Sequence, residues 1–152
     1  MAKITTIIAL VLLMMLTACG TTREVPFEVA NNYFVRNDAP RPIPMKITTR
    51  DTFERIFGMA AVMGKDGLPT SIDFERQFVI AVVLPETNHF TTVEVKRLTN
   101  EAEGLMVTAQ VEASKEENTW TMIPMQLLIV DRAYERDSVF NKNKSMQTKE
   151  RP

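Results

Sequence analysis

Histidine occurs once in these 152 residues, at position 89 in "PETNHFTT". A catalytic base there needs a nucleophile and an orienting group, and its neighbours supply only Glu86, Thr87 and Thr91. A histidine in a water-exposed turn is the commoner arrangement. Asp73 and Glu75 flank Phe74. Glycoside hydrolysis needs two carboxylates on facing elements, and a spacing of two along one chain does not create that; Asp73 fits the closing of a turn better. One histidine and one cysteine cannot make the usual zinc sets. The ten methionines raise Cu(I) chemistry, with Met122, Met125 and Met106 as the candidate thioethers. Three of the ten (Met1, Met14, Met15) fall at the N-terminus and no Met-x-Met tract follows, so gap-filling is the expected role. No G-x-S-x-G elbow, phosphate-binding glycine loop or H-E-x-x-H is present. The expectation is a non-enzyme without catalytic residues, metal or cofactor, and an enzyme built on His89 or Asp73 is the last alternative.

Cys19 is the sole thiol and lies in "LTACG". It follows Lys3 and ten apolar residues from Ile7 to Leu16, the layout of a secretory signal peptide. Ten are too few to span a bilayer, which takes about 20. Leu16-Thr17-Ala18-Cys19 resembles the lipobox of bacterial lipoproteins. That resemblance implies cleavage before Cys19, lipidation of its thiol and acylation of its new amine. Two or more chains anchor stably, because each buried methylene contributes about 0.8 kcal/mol. Residues 1–18 then read as a signal peptide, 19–24 as a lipidated tether, 25–141 as one exported domain and 142–152 as a disordered tail. Gly20 in place of aspartate implies, by likeness to enteric lipoproteins, the outer membrane facing the periplasm.

Removing residues 1–18 leaves 134 residues, enough for one domain that buries roughly 65–70% of its unfolded surface. Its 17 basic and 19 acidic side chains give a charge of −2, which draws it to no nucleic acid.

The elements that would position the candidates read as follows. "VPFEVANNYFVR" suits one strand or a broken pair, and the three prolines of "NDAPRPIP" make an extended connector. In "TTRDTFERIFGMAA", Thr49 caps a helix whose Phe53, Ile56, Phe57 and Ala60 recur at helical spacing; Gly58 threatens its end. "FVIAVVL" is a continuous apolar run for a strand buried on both faces. "TTVEVKRL" and "LMVTAQVEA" alternate around a turn at Asn100–Gly104, which predicts an antiparallel hairpin. "QLLIVD" after Pro124 is a further strand. The fold class is therefore α+β, mainly β: a small antiparallel, sandwich-like domain with one helix on its N-terminal side.

Two segments read as turns that present side chains, Glu86–Phe90 and Ser114–Pro124. Their candidates for partner binding are Glu86, Asn88, His89, Phe90 and Trp120, the last being the best single anchor.

"IDF", "FVIAVVL", "VEVKRL", "GLMVTAQVEAS" and "PMQLLIV", with "TRDTFERIF" before them, resemble the C-terminal domain family of PrcB, an accessory subunit of a spirochaete surface protease complex. The likeness spans about residues 47–131. Thr87-Asn88-His89-Phe90 keeps a threonine and an aromatic but not paired glycines, and Met125 stands where an aromatic often follows the late proline. The resemblance implies a protease-associated or inhibitor-like protein partner. A small-ligand carrier is the rival expectation.

Overall fold

The computed structural model describes residues 22–60, 67–142 and the backbone of 149–150. Cys19 and the segment before it lie outside them, as does most of the tail expected to be disordered. Within the tail, Lys149–Glu150 form a short strand. Arg23 and Glu24, expected in the tether, instead form strand β1 (Arg23–Glu24), so the ordered domain begins before residue 25.

Strand β6 (Gln77–Val83) is the apolar run read from sequence, and β9 (Met125–Asp131) pairs with it antiparallel along its whole length. Strands β7 (Thr87–Glu101) and β8 (Gly104–Met122) form the expected hairpin. The two pairs are one structure. Val83↔Met125 is followed by a Leu84 N–H bond to the Pro124 carbonyl at 2.9 Å and then by Thr87↔Met122, so a single ladder continues through a corner. Pro85 and Pro124 sit at that corner, one on each arm, where neither can donate to the ladder. The long hairpin thus folds over on itself. Its inner faces enclose Phe78, Ile80, Val82, Leu128 and Val130 from one half and Val93, Val95, Leu98, Leu105 and Val107 from the other.

Short strands complete the sheets. β1 pairs antiparallel with β7 at Thr99 and Asn100. β10 (Val139–Asn141) and β11 (Lys149–Glu150) pair parallel with β8. In the second sheet, β2 (Glu28–Ala30) borders β9 and β4 (Lys46–Ile47) borders β6. The alternate residues Val79, Ala81, Leu127 and Ile129 point away from the first core into a second one. There they meet Phe53 and Ile56 of α1 (Arg50–Ile56) and Val35 of β3 (Tyr33–Val35). This middle position accounts for the unbroken apolar run, since both faces of β6 are covered.

The helix is shorter than its periodicity predicted. Thr49 caps it through the Thr52 N–H, but Phe57 leaves the helix and opens β5 (Phe57–Met59), which pairs with β3. Phe57 is still buried; it reaches the second core from a strand. The "VPFEVANNYFVR" stretch is broken at Asn32, whose φ of 62° is left-handed, a state asparagine tolerates. Asn31 N–H donates to the Thr70 hydroxyl and Asn32 Nδ2 to the Leu68 carbonyl. Those bonds tie the break to the following loop and set the line of β3. More strands form among the described residues than the sequence segments announce, because strands of two or three residues leave no periodic signature.

Candidate functional site

The two segments read as turns are continuations of the hairpin strands. Thr87–Phe90 belong to β7, and Ser114–Met122 belong to β8. Backbone pairing propagates out of the Thr91–Glu101 ladder without needing apolar side chains, so loss of alternation does not end it. It does become irregular. From Thr91↔Ala113 to Thr87↔Met122, β7 advances four residues while β8 advances nine. The surplus on β8 is shed in bulges, which re-aim side chains outward.

Each candidate has a defined place there. Thr87 Oγ1 accepts from the His89 N–H at 3.1 Å, and His89 Nδ1 lies 3.1 Å from the Ser114 carbonyl. With the ring proton on Nδ1, His89 donates across the hairpin and braces the bulge. Asn88 Nδ2 donates to the Glu117 carboxylate at 3.2 Å. The Ser114 hydroxyl accepts from the Phe90 N–H at 3.1 Å. Glu86 accepts a short hydrogen bond from the Thr121 hydroxyl. These polar links hold two aromatic rings in water: Phe90 is 48% exposed and Trp120 50%.

Between this end of the hairpin and β3 lies a cleft of about 550 Å³. Glu86, Phe90 and Thr91–Val93 line it from one side, Met122, Ile123 and Met125 from the corner, and Tyr33, Phe34 and Val35 from β3. Phe34 is 48% exposed. Sequence reasoning missed this β3 wall. "YFV" carries an alternation, Val35 inward and Phe34 outward, but nothing in it shows that β3 stands beside residues more than fifty positions later.

Tyr33 is fixed by its edge against Phe53, ring centres 5.1 Å apart at 84°, and by a 2.6 Å bond from its hydroxyl to the Thr70 carbonyl. Burial pushes its phenol above the ordinary value, against an opposing pull from Arg50.

The catalytic alternatives are kept apart. Asp73 lies before the Gln77 end of β6 and His89 on β7 beyond its Val83 end, and among the described residues no hydrogen bond or ion pair joins them. Asp73 accepts from the Glu75 N–H through its side chain and from Gln77 N–H through its carbonyl, the turn closure read from sequence. The methionines also divide. Met122 and Met125 line the cleft, and Met122 Sδ lies 3.5 Å from the Thr91 nitrogen. Met106 pairs with Thr99 near the other end of the hairpin. Among the described residues no cluster of three or more His, Cys, Asp or Glu side chains is placed to hold a metal ion, and no helix is long and apolar enough to cross a membrane.

A larger cleft of about 850 Å³ lies between Arg36, Asp38 and Pro40 and the helix residues Asp51, Glu54 and Arg55. Its charges of both signs stand in solvent, and the Arg36–Asp38 pair at 3.0 Å holds the Asp38 carboxyl below its usual range. Exposed pairs of this kind contribute little.

No family model, no curated protein and no solved structure matches this chain.

Proposed function

We infer that this chain is an envelope lipoprotein, anchored through Cys19, whose hairpin end acts as a protein-interaction module for a protease or a protease-associated partner. The observation that carries the interaction reading is the exposure of Phe34 and Phe90 in the lining of one braced cleft, with exposed Trp120 next in sequence to the lining residue Thr121. Half-exposed aromatics on a rigid frame are costly to leave in water and are the usual anchors of a binding surface. The anchor and the protease association rest on the lipobox and on the PrcB-like strand pattern.

The test is photo-crosslinking in intact cells from a residue placed at 90 or 120, with position 140 as control. Phe140 is also exposed, but on β10. The expected result is one shared protein adduct, a protease or a protein bound to one, from 90 and 120 and none from 140. Adducts that are absent, or the same at all three positions, would refute the reading.

A small-ligand site is the second reading, and the cleft volume falls within the ~300–1,000 Å³ of ligand sites.

A further inference from the structure

Resting on the interaction-module reading, we propose that the cleft takes an extended segment of the partner as an added strand on the free edge of β7, centred on Val93. The edge is identified by its hydrogen bonds. Leu98 turns its carbonyl away from β8, to Val25 N–H at 2.8 Å, and β1 then pairs with Thr99 and Asn100. Beyond that short cover the chain leaves for the second sheet, where β2 begins at Glu28. The bulge after Val95 carries the alternation on, so that Thr91, Val93 and Val95 point their N–H and C=O groups to the same side, away from β8.

Two of those three donors are stoppered by side chains. The Gln126 carboxamide accepts from the Val95 N–H, and the Met122 thioether stands against the Thr91 N–H. Val93, between them, lines the cleft, and none of the described side chains or strands caps its outward N–H and C=O. A strand edge left open in a groove is the arrangement that strand addition uses.

The lining selects the occupant. Phe34, Phe90, Ile123 and Met125 give the groove apolar walls beside the Val93 edge, which suits an extended segment with apolar side chains at alternate positions. Apolar side chains at alternate positions of that strand would reach Met122, Ile123 and Phe34. Among the described residues, Glu86 is the one charged side chain lining the cleft, which favours a Lys or Arg in the incoming segment.

The full-length protein in detergent is titrated with a blocked hexapeptide, Lys-Val-Thr-Val-Thr-Val, and followed by the fluorescence of Trp120, the sole tryptophan, and by amide hydrogen exchange at Val93. Three comparison probes are the same peptide N-methylated at alternate amides, its Glu-led counterpart, and the Glu86→Gln variant. The expected result is a saturable shift with Val93 exchange slowed at least tenfold. The N-methylated peptide should bind at least about fivefold more weakly, one ladder bond's worth. The preference for Lys over Glu should vanish in Glu86→Gln. Strand addition is overturned if no peptide binds, if N-methylation changes nothing, or if Val93 exchange stays the same. A dimer dissolved by the peptide would overturn it in favour of a second copy. None of these outcomes touches crosslinking from 90 and 120, which judges the interaction-module reading by itself.

Discussion

The Phe34 ring lies directly over Gly58, its cross-strand neighbour on β5: a β-carbon at position 58 would stand 2.4 Å from Phe34 Cζ. The glycine therefore gives the ring its seat, and the seat fixes one wall of the cleft.

Gly58→Ala should lift Phe34 out of that seat. The obstacle is the far end of a half-exposed side chain, so the fold should survive with a loss of about 1 kcal/mol or less. Binding at the cleft should fall as much as in Phe34→Ala. Thermal unfolding and peptide titration of the two variants compare these directly.

Gly104 offers the opposite case. Its φ is +146°, and a β-carbon there would stand 2.4 Å from the Ser138 carbonyl oxygen, so the hairpin turn has no room for a side chain. Gly104→Ala should cost on the order of 1–3 kcal/mol in denaturant melts, without altering the cleft directly.

Core and cleft should separate cleanly. Phe78 is fully buried, and Phe78→Ala should cost about 3–5 kcal/mol. Trp120→Ala and Phe90→Ala should stay within about 0.5 kcal/mol of the parent while losing the partner. Equal losses of stability in both sets would mean that the exposed rings are structural.

Alkaline pH should weaken the fold through Tyr33. Its phenol holds its proton more tightly when folded, because burial disfavours the phenolate. That contribution is fully present below the unfolded value near ~10 and is lost as pH rises through the higher folded value. Tyr33→Phe should flatten the alkaline limb of a melting-temperature profile. At neutral pH it should cost about 1 kcal/mol for the lost bond to Thr70.

Cys19→Ser should move the protein from the membrane fraction to the soluble fraction and retain the uncleaved N-terminus by mass. A variant still wholly in membranes would dismiss the lipid anchor.

Much of the architecture is legible in local pattern. "FVIAVVL" announces a strand covered on both sides, and the Leu105–Ala113 alternation announces its hairpin. The fold-over is not legible, because Pro85 and Pro124 lie 39 positions apart and each reads as the end of a strand rather than as half of one corner. The extension of β7 and β8 past Thr91 was hidden for a related reason. Polar residues such as Asn88 and Glu117 carry no periodic signal, while their backbones pair regardless. His89, Phe90 and Trp120 could be singled out by type and neighbourhood. Phe34, Gly58 and Gln126 could not, since their part depends on elements that meet only when the chain is folded.

The chain enters at the turn end of the long hairpin, where β1 lies against Thr99 and Asn100, whereas the cleft is at the corner end. From Thr99 to Phe90 the strand runs nine residues, roughly 30 Å at about 3.3 Å each. From Cys19 to Arg23 the chain reaches at most about 14 Å. With the lipid proposed at Cys19, the hairpin would work as a standoff: the short leash would hold one end near the headgroups, and the strands would carry the edge of β7 outward, to a height where it meets proteins rather than lipid.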